Sequence, residues 1–391
     1  MGEKRSCHAC HGTHLDPFFE VQGIPIHSCL LMHAEDEARN LERRDLELAI
    51  CRDCGFVQNT LFDPTVHNYS IDYEETQAFS GTFNAFAKDL AQTWIDRHDI
   101  RNKRILEIGC GKGEFLVLMC ELGNNEGIGI DPGYRPERTK TDANVSFLNE
   151  FYSEAHGELE ADVILCRHTL EHIQPVDEFL AIIRRSIGER RDVKVLFELP
   201  AIERVLEDQA FWDIYYEHCS YFSLGSLSRL FRRNAFDVTH LSKAYGDQYL
   251  LLDAVPSAEN TTQSLAREDD LGYLLKMAEQ FRERVPGQLQ QWQEAFEKGH
   301  GLGQKIVLWG SGSKAVAFIT TLGLQDEIEY VVDINPHKWG RFMPGTGHEI
   351  VAPAFLEEYQ PDRVVIMNAI YEEEIRVDLE RLGLTPELIT V

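Results

Sequence analysis

A glycine-rich turn that follows a short apolar strand is the clearest chemical feature of the sequence. The stretch Arg104-Ile-Leu-Glu-Ile-Gly-Cys-Gly-Lys-Gly-Glu-Phe115 places glycines at the alternate positions 109, 111 and 113. Glycines let the backbone adopt unusual angles and approach a bound molecule closely, because they carry no side chain. The next strand, Gly127-Ile-Gly-Ile-Asp131, ends in a carboxylate that can accept hydrogen bonds from both hydroxyls of a ribose. The pattern therefore predicts a nucleoside-containing ligand.

The spacing of the glycines distinguishes between two kinds of such ligand. NAD and FAD sites use G-x-G-x-x-G and place a pyrophosphate at a helix N-terminus. Here the glycines alternate strictly, an acidic residue precedes them, and a third strand, Asp162-Val-Ile-Leu-Cys166, follows. This pattern is typical of the S-adenosylmethionine (SAM) loop of class I methyltransferases; the alternative is a nucleotide-type fold that has lost its ligand. We expect SAM to be bound by Glu107, Gly109, Cys110, Gly111, Gly113 and Asp131.

Two cysteine pairs near the N-terminus have the spacing of metal-binding knuckles. Cys7-His-Ala-Cys10 and Cys51-Arg-Asp-Cys54 are each followed closely by a glycine. Four thiolates suit tetrahedral Zn²⁺, and a closed four-sulfur site is structural because no position is left for water or substrate. His8 could replace one thiolate. The alternatives are two unrelated reduced pairs or a redox dithiol, and the latter is disfavoured because neither pair begins a helix after a strand.

Strands alternate with helical patterns through the middle of the sequence. We predict strands at residues 104–108, 127–131, 145–148, 162–166, 193–198, 237–241 and 248–254. An amphipathic segment at 83–98 precedes them, and a long polar-faced helix from about 265 to 299 follows. Such alternation indicates an α/β sheet that binds ligands at the carboxyl ends of its strands.

A second strand, glycine turn and helix begins at Lys305-Ile-Val-Leu-Trp-Gly-Ser-Gly-Ser-Lys-Ala-Val-Ala-Phe318. Further strands are predicted at 330–333 and 363–368, so the C-terminal part is expected to be a smaller Rossmann-like domain. The turn Ser311-Gly-Ser-Lys314 is suited to an anion such as a substrate phosphate, and is equally suited to a packing turn. The predicted α/β fold thus has a zinc-binding domain at 1–75, a class I methyltransferase Rossmann-like core at 76–300 and the smaller domain at 301–391.

The acidic composition excludes several classes of partner. The 391 residues include 65 acidic and 38 basic side chains, for a formal net charge of −27. Such a surface repels phosphate backbones and anionic membranes, and the sequence has no apolar run long enough to span a bilayer and no apolar signal segment. Nine cysteines without secretory features fit reduced thiols. We expect a cytoplasmic protein with a small-molecule substrate and no nucleic-acid or membrane partner; its oligomeric state stays open.

The order of these parts resembles the deoxysugar C-methyltransferase family, which methylates nucleotide-linked 4-keto sugars. The segment Phe211-Trp-Asp-Ile-Tyr-Tyr-Glu-His-Cys-Ser-Tyr-Phe-Ser223 is similar to the Tyr-x-Glu-His-x-x-Tyr-Phe-Ser catalytic segment of that family. Leu170-Glu-His-Ile173 and Asp333-Ile-Asn-Pro-His-Lys-Trp-Gly-Arg-Phe-Met-Pro-Gly345 match as well, so the resemblance covers essentially the whole chain.

The resemblance implies His218 as a base, with Tyr215, Glu217 and His172 around the reacting ketone, and structural zinc on Cys7, Cys10, Cys51 and Cys54. Two departures bear on the substrate. Tyr245-Gly-Asp-Gln-Tyr249 stands where many sugar enzymes have Gly-Gly-Ser-Leu-Arg, and Tyr73-Glu-Glu-Thr-Gln-Ala-Phe-Ser80 matches the family's aromatic-serine segment only loosely.

The residues themselves indicate how carbon could be methylated. An unactivated sugar carbon is not nucleophilic, but removal of a proton beside a ketone yields an enolate. Histidine is suited to this step because its ordinary pKa, about 6.5, lies near working pH. Tyr215 could donate to the enolate oxygen, and Glu217 could hold the imidazole tautomer, although adjacent residues often point apart. Both His218 and His172 could instead be buried structural histidines.

The prediction is therefore a SAM-dependent C-methyltransferase that acts through an enolate on a nucleotide-linked deoxysugar or a related carbonyl metabolite. Two alternatives stay open: an O- or N-methyltransferase of a small metabolite, or a non-catalytic module that binds SAM or a sugar nucleotide. Cys110, Cys120, Cys166 and Cys219 are expected to be small packing residues.

Overall fold

Three β-sheets organise the computed structural model, which describes residues 5–66, 73–262 and 265–391. Part of the polar and aromatic segment at 62–73, namely residues 67–72, lies outside the described residues. The strands are β1 (Leu15–Pro25), β2 (Arg43–Cys51), β3 (Val57–Asn59), β4 (Arg104–Ile108), β5 (Glu126–Ile130), β6 (Val145–Leu148), β7 (Val163–Arg167), β8 (Lys194–Pro200), β9 (Ser220–Tyr221), β10 (Phe236–Ala244), β11 (Tyr249–Pro256), β12 (Ile306–Trp309), β13 (Tyr330–Val332), β14 (Glu349–Val351), β15 (Arg363–Ile366) and β16 (Glu387–Thr390).

The helices lie mainly between these strands, as the alternating pattern predicts. They are α1 (Glu35–Arg39), α2 (Gly81–His98), α3 (Glu114–Gly123), α4 (Val176–Ile187), α5 (Ile202–Glu207), α6 (Leu224–Arg233), α7 (Leu271–Gly301), α8 (Ser313–Leu322), α9 (Leu356–Tyr359) and α10 (Glu372–Arg381). No helix in the described ranges is long and apolar enough to cross a membrane.

The first sheet contains four antiparallel strands in the order β1-β2-β3-β9. Its edge strand β9 comes from the middle of the chain, where Tyr221 pairs with Val57. The cysteine pairs flank this sheet, since Cys51 ends β2. The proposed boundary at residue 75 therefore separates β9 from the sheet to which it belongs, and the division into three domains remains a prediction.

The second sheet has seven strands in the order β10-β11-β8-β7-β4-β5-β6. The five strands from β8 to β6 are parallel, and β11 and β10 continue the sheet as an antiparallel hairpin. This is the predicted α/β core, and each predicted strand is present with its ends shifted by at most three residues. The glycine turn at residues 109–113 lies at the carboxyl end of the central strand β4.

The third sheet is parallel throughout, in the order β14-β13-β12-β15-β16. The strands predicted from Lys305 onward, at 330–333 and at 363–368 form its centre as β12, β13 and β15, and the two edge strands were not foreseen. The long helix α7 connects it to the second sheet, as the sequence predicts, but it begins at Leu271 rather than near 265.

A buried carboxylate attaches α2 to the second sheet. Asp253 on β11 is completely buried and accepts hydrogen bonds from Trp94 Nε1 at 3.2 Å, Arg97 Nη1 at 2.6 Å and His98 Nε2 at 2.9 Å. Burial alone would raise the pKa of Asp253, but the donors on His98 and Arg97 outweigh it and hold that pKa below its ordinary value. The helix is thereby fixed beside the sheet that carries the glycine turn.

Replacing Asp253 with alanine should lower the free energy of unfolding by about 3 kcal/mol, because Arg97 and His98 lose their buried partner. Urea denaturation monitored by circular dichroism measures this change. In the wild type the contribution of Asp253 is complete above its unfolded pKa, about 3.9, and is lost as pH falls through the lower folded value. Asp96→Ala, on the exposed face of the same helix, is the matched control and should have little effect; equal losses in the two variants would refute the role of Asp253.

Candidate active site

A cavity of about 1090 Å³ lies where the carboxyl ends of the second and third sheets face each other. Its wall takes residues from both glycine turns and from the segment between α5 and α6. Gly111 from the first turn and the neighbouring Asp131 line the cavity, as does His218 from the segment. Gly312 from the second turn and the neighbouring Asp333 line it as well. The predicted cofactor turn and the predicted base therefore share one cavity.

The first glycine turn requires glycine for two separate reasons. Residues 109, 111 and 113 have φ angles of 71°, 54° and 82°, which side chains disfavour. A Cβ on Gly109 would lie 1.9 Å from Thr169 Oγ1, and one on Gly113 would lie 2.6 Å from the Phe147 ring. The backbone of this turn thus forms a closely packed floor of the cavity.

Asp131 holds the turn in shape. Its Oδ2 accepts a hydrogen bond from the backbone N–H of Gly111 at 2.9 Å, and its Oδ1 accepts one from Gly133 at 2.7 Å. Burial raises the pKa of the carboxyl group, and these two N–H groups oppose that rise. Each carboxylate oxygen has a second lone pair, so Asp131 can support the turn and still accept from a ligand hydroxyl.

Two other predicted cofactor residues differ in what they offer the cavity. Glu107 is 2% exposed, burial raises its pKa to about 8, and its Oε2 finds no hydrogen-bond partner within the described residues. A buried carboxyl oxygen of this kind is expected to meet a donor, and a bound cofactor can supply one. Cys110 is also buried at the wall, and burial raises the pKa of its thiol well above the ordinary value.

Two charged residues that sequence reasoning missed meet between the glycine turn and the segment before α2: Lys112 lies in the turn and Glu75 in the segment. The buried Lys112 ammonium lies 3.0 Å from the Tyr73 carbonyl oxygen and 3.1 Å from Glu75 Oε2. Burial raises the pKa of Glu75 to about 7, and its Oε1 lies 3.0 Å from the point a Cβ on Gly111 would occupy. The position of Lys112 inside the glycine turn was the available signal; nothing in the sequence indicated Glu75.

The structure brings Tyr215, His218 and His172 together at the cavity wall. The Tyr215 hydroxyl lies 3.0 Å from His218 Nε2, and the His218 and His172 rings are nearly perpendicular with centroids 4.7 Å apart. Burial raises the pKa of Tyr215 well above its ordinary value, so the phenol stays protonated and can donate. His172 Nδ1 donates to the backbone oxygen of Glu217 at 3.0 Å, which directs its Nε2 away from that contact.

The Glu217 carboxylate takes partners other than the one we expected. Its Oε1 lies 3.1 Å from His27 Nδ1, and its Oε2 accepts from the backbone N–H of Ser28 at 2.9 Å and from the Ser28 hydroxyl. Glu217 is 1% exposed and lies behind the cavity wall. Its carboxylate thus anchors the segment to the N-terminal part of the chain, and the proposed hold on the His218 tautomer stays a prediction without support from these contacts.

His168 is a further residue that the sequence did not single out. It follows β7 with a φ of 48° and lines the cavity. Its Nε2 lies 3.2 Å from Glu198 Oε1 and its Nδ1 lies 3.6 Å from Glu171 Oε1. Burial would lower the pKa of His168, but the two carboxylates raise it to about 9. Its place directly after a parallel strand was the only signal in the sequence.

The second glycine turn repeats the support seen in the first. Asp333 at the end of β13 accepts from Ser311 N at 2.9 Å, from Ser311 Oγ at 2.5 Å and from Asn335 N at 2.8 Å. Lys314 forms an ion pair with Asp213. The Asp333 carboxylate would repel a phosphate, and Lys314 is already paired with Asp213. These contacts therefore favour the packing alternative for Ser311–Lys314.

The four predicted metal ligands lie together. The Sγ atoms of Cys7 and Cys54 are 3.6 Å apart, as are those of Cys10 and Cys51, and all four lie within 4.8 Å of one another. Four sulfurs at 2.3 Å from a central zinc would be about 3.8 Å apart. The cluster therefore has the dimensions of a tetrahedral zinc site. His8, the alternative ligand, is outside the cluster.

Two family models match consecutive parts of the chain. A methyltransferase domain matches residues 82–241, and the C-terminal domain of C-methyltransferases matches residues 252–383. The C-methyltransferase NovU of Streptomyces niveus is 24% identical over 371 residues, covering 90% of this chain and 86% of NovU. The ribosomal protein L11 methyltransferase of Colwellia psychrerythraea is 29% identical over 128 residues, which are 31% of this chain and 40% of that protein.

Solved structures are similar to a little under half of the chain. The 1,6-didemethyltoxoflavin-N1-methyltransferase of Burkholderia thailandensis, solved with S-adenosylhomocysteine, has a TM-score of 0.35 at 18% identity and covers 45% of this chain and 81% of its own. The PH0226 protein of Pyrococcus horikoshii has a TM-score of 0.38 at 14% identity, covering 46% of this chain and 94% of its own.

The glycine turn, the sheet order and the domain matches together make this chain a SAM-dependent methyltransferase. Within that class, the C-terminal domain match and the nearly full-length similarity to NovU support a relationship to the C-methyltransferases.

Asp131→Ala should weaken SAM binding about 10- to 100-fold, because two charge-assisted hydrogen bonds to the ribose and the support of the turn are lost together. Isothermal titration with SAM or S-adenosylhomocysteine measures this. Asp333→Ala is a closely matched control, since it removes the same kind of support from the second turn. Unchanged affinity in a folded Asp131→Ala protein, or an equal loss in Asp333→Ala, would refute this placement of the ribose.

Proposed function

We propose that the protein methylates a carbon adjacent to a ketone, through an enolate, on a nucleotide-linked deoxysugar. The observation that carries this proposal is the 3.0 Å contact between the Tyr215 hydroxyl and His218 Nε2 in the cavity that contains the SAM turn. A base and a proton donor that meet in this way suit removal of an α-proton with stabilisation of the resulting oxyanion.

The proposed chemistry uses these side chains in sequence. In the protein without substrate, the protonated Tyr215 donates to His218 Nε2. When a ketone enters, the Tyr215 O–H turns to the carbonyl oxygen, which frees the Nε2 lone pair to take the α-proton. The bound SAM supplies the methyl group to the nucleophilic carbon. His172, held by the Glu217 backbone oxygen, borders the same space and fits a second donor to the substrate.

The proposed substrate class rests on the resemblance of the whole catalytic segment. At one wall of the cavity, however, this chain differs from the family. Tyr249, which stands where many sugar enzymes have an arginine, lines the cavity and stacks on Tyr245 with a centroid distance of 5.1 Å. Tyr245 donates to the Tyr371 hydroxyl at 2.7 Å. This wall therefore places tyrosine rings where the family has an arginine, and a cation beside it is His168, whose ring centroid lies 4.5 Å from that of Tyr249.

The proposal also includes a structural zinc ion on Cys7, Cys10, Cys51 and Cys54. The sulfur separations suit tetrahedral coordination, and the cluster lies beside the strands β2 and β3. Since four thiolates close the coordination shell, the ion would stabilise the first sheet and take no part in methyl transfer.

The direct test of the proposed function is exchange of substrate protons. Candidate nucleotide-linked keto sugars are incubated with the enzyme in D₂O, with S-adenosylhomocysteine and without SAM. The proposal requires deuterium at the α-carbon and, once SAM is added, a methyl group on that same carbon. Methylation of an oxygen or nitrogen without any exchange would contradict it and favour the O- or N-methyltransferase alternative.

His218→Ala should lower turnover by about 100-fold or more while SAM affinity stays near the wild-type value, because general bases typically contribute 10²- to 10⁴-fold. Tyr215→Phe keeps the ring and removes one donor, so a smaller loss is expected. Steady-state kinetics and SAM titration provide the two readouts. If His218→Ala turns over normally, another residue is the base.

Purified protein should contain about one zinc ion per chain, and Cys51→Ser should lose both the metal and the folded first sheet, since binding at such sites contributes directly to folding. Elemental analysis and thermal denaturation measure the two effects. Cys120→Ala, which removes a buried thiol outside the cluster, should retain the metal. A metal-free wild-type protein purified without chelator would contradict this site.

A further inference from the structure

We propose that Glu171 is a positioning residue for the catalytic histidines, the role expected of Glu217 from the sequence. This inference rests on the proposed function, in which His218 is the base. Glu171 lies in the short turn Leu170–His172 that follows β7, and it is 2% exposed.

The geometry places the Glu171 carboxylate beside both imidazoles. One of its oxygens lies within 4.8 Å of a ring nitrogen of His172 and of a ring nitrogen of His218, and these nitrogens are within the same distance of each other. Its Oε2 is buried and has no hydrogen-bond partner within the described residues. A buried carboxylate beside two histidines is a strong electrostatic influence on them.

Contacts with His168 and Cys219 hold the Glu171 side chain and its turn in place. His168, which is protonated at neutral pH because its pKa is about 9, places Nδ1 at 3.6 Å from Glu171 Oε1 and Nε2 at 3.2 Å from Glu198 Oε1. The Glu171 backbone oxygen accepts from Cys219 Sγ at 3.6 Å, which joins the turn to the residue after His218. The carboxylate is thus held between His168 on one side and the two histidines of the proposed catalytic pair on the other.

This arrangement assists the proton transfer without joining it. When His218 takes the α-proton, the C–H bond breaks, its electron pair forms the enolate, and the imidazole becomes a cation. The Glu171 carboxylate stabilises that cation, as an opposite charge a few ångströms away does in a water-poor site. The proton stays on His218. The titratable groups around Glu171, His172 and His218 include His168, Glu198, Asp131, Asp213, Cys29, Cys166, Cys219, Tyr215 and Tyr221.

The test is Glu171→Gln, which keeps the shape of the side chain and removes its charge. We expect the rate of α-proton exchange and the turnover number to fall about 10- to 100-fold while SAM affinity stays unchanged. Loss of the anion also makes the His218 cation less stable, so the acidic limb of the pH profile of kcat/KM should move about one unit to lower pH. Glu171→Asp should recover part of the rate.

Glu203→Gln is the matched control. Glu203 is 4% exposed and also has an unpartnered Oε2, but it accepts from the Leu224 backbone at 3.0 Å and lies outside the cavity wall. Its replacement should leave the rate and the pH profile unchanged.

Three results would overturn the inference. Wild-type rates in Glu171→Gln would show that Glu171 has no role in the reaction. A lower rate with an unchanged acidic limb of the kcat/KM profile would show that Glu171 is a structural residue. Activation of the wild type but not of Glu171→Gln by added Mn²⁺ or Zn²⁺ would replace the positioning role with a metal site. A wild-type enzyme that exchanges no α-proton from any keto sugar would instead refute the proposed function itself.

Discussion

The hydrogen bonds between the catalytic segment and the N-terminal part of the chain are the constraint on which the active site depends. Residues 211–223 connect α5 to α6 and contain little regular structure beyond β9. Their rigidity comes from outside: β9 pairs with β3, the Asn59 N–H donates to the Cys219 oxygen at 3.0 Å, and Glu217 accepts from Ser28. A base must be held within about 0.5 Å of its working position, so under the proposed function the first sheet would provide that hold for His218. A zinc ion distant from the chemistry would then matter through the strand that it stabilises.

The two glycine turns show how one local design can serve two purposes. In each, an aspartate that follows the second strand accepts backbone N–H bonds from the turn and from the residue two positions further on. The first turn leaves a floor of glycine backbone, and Glu107, whose Oε2 has no hydrogen-bond partner in the described part of the chain, lines the cavity beside it. In the second, Ser313 contacts Ser28 at 2.8 Å and Lys314 pairs with Asp213. Its polar groups thus join the third sheet to the N-terminal part and to the catalytic segment.

Much of the fold was predictable because its signals are local. The period of the apolar residues gave the parallel strands, and the spacing of the glycines and of the cysteine pairs gave the turn and the metal cluster, whose members lie together. The first sheet was not predictable in full, because β9 joins it from about 160 residues further along the chain. The same limit applies to the acidic residues of the site. Sequence proximity suggested Glu217 as the partner of His218, which stays a prediction, whereas the position of Glu171 beside the histidines follows only from the fold.

Amide hydrogen exchange across the catalytic segment tests the central claim most directly, because it reports whether the first sheet holds that segment in place. The comparison is between wild-type protein and Cys51→Ser, with the peptide covering residues 214–223 as the readout and the peptide covering β8 as the internal reference. The account predicts that residues 214–223 lose protection when the first sheet is loosened, while β8 keeps its protection. Unchanged protection of residues 214–223 in a variant whose strands β2 and β3 exchange rapidly would contradict it.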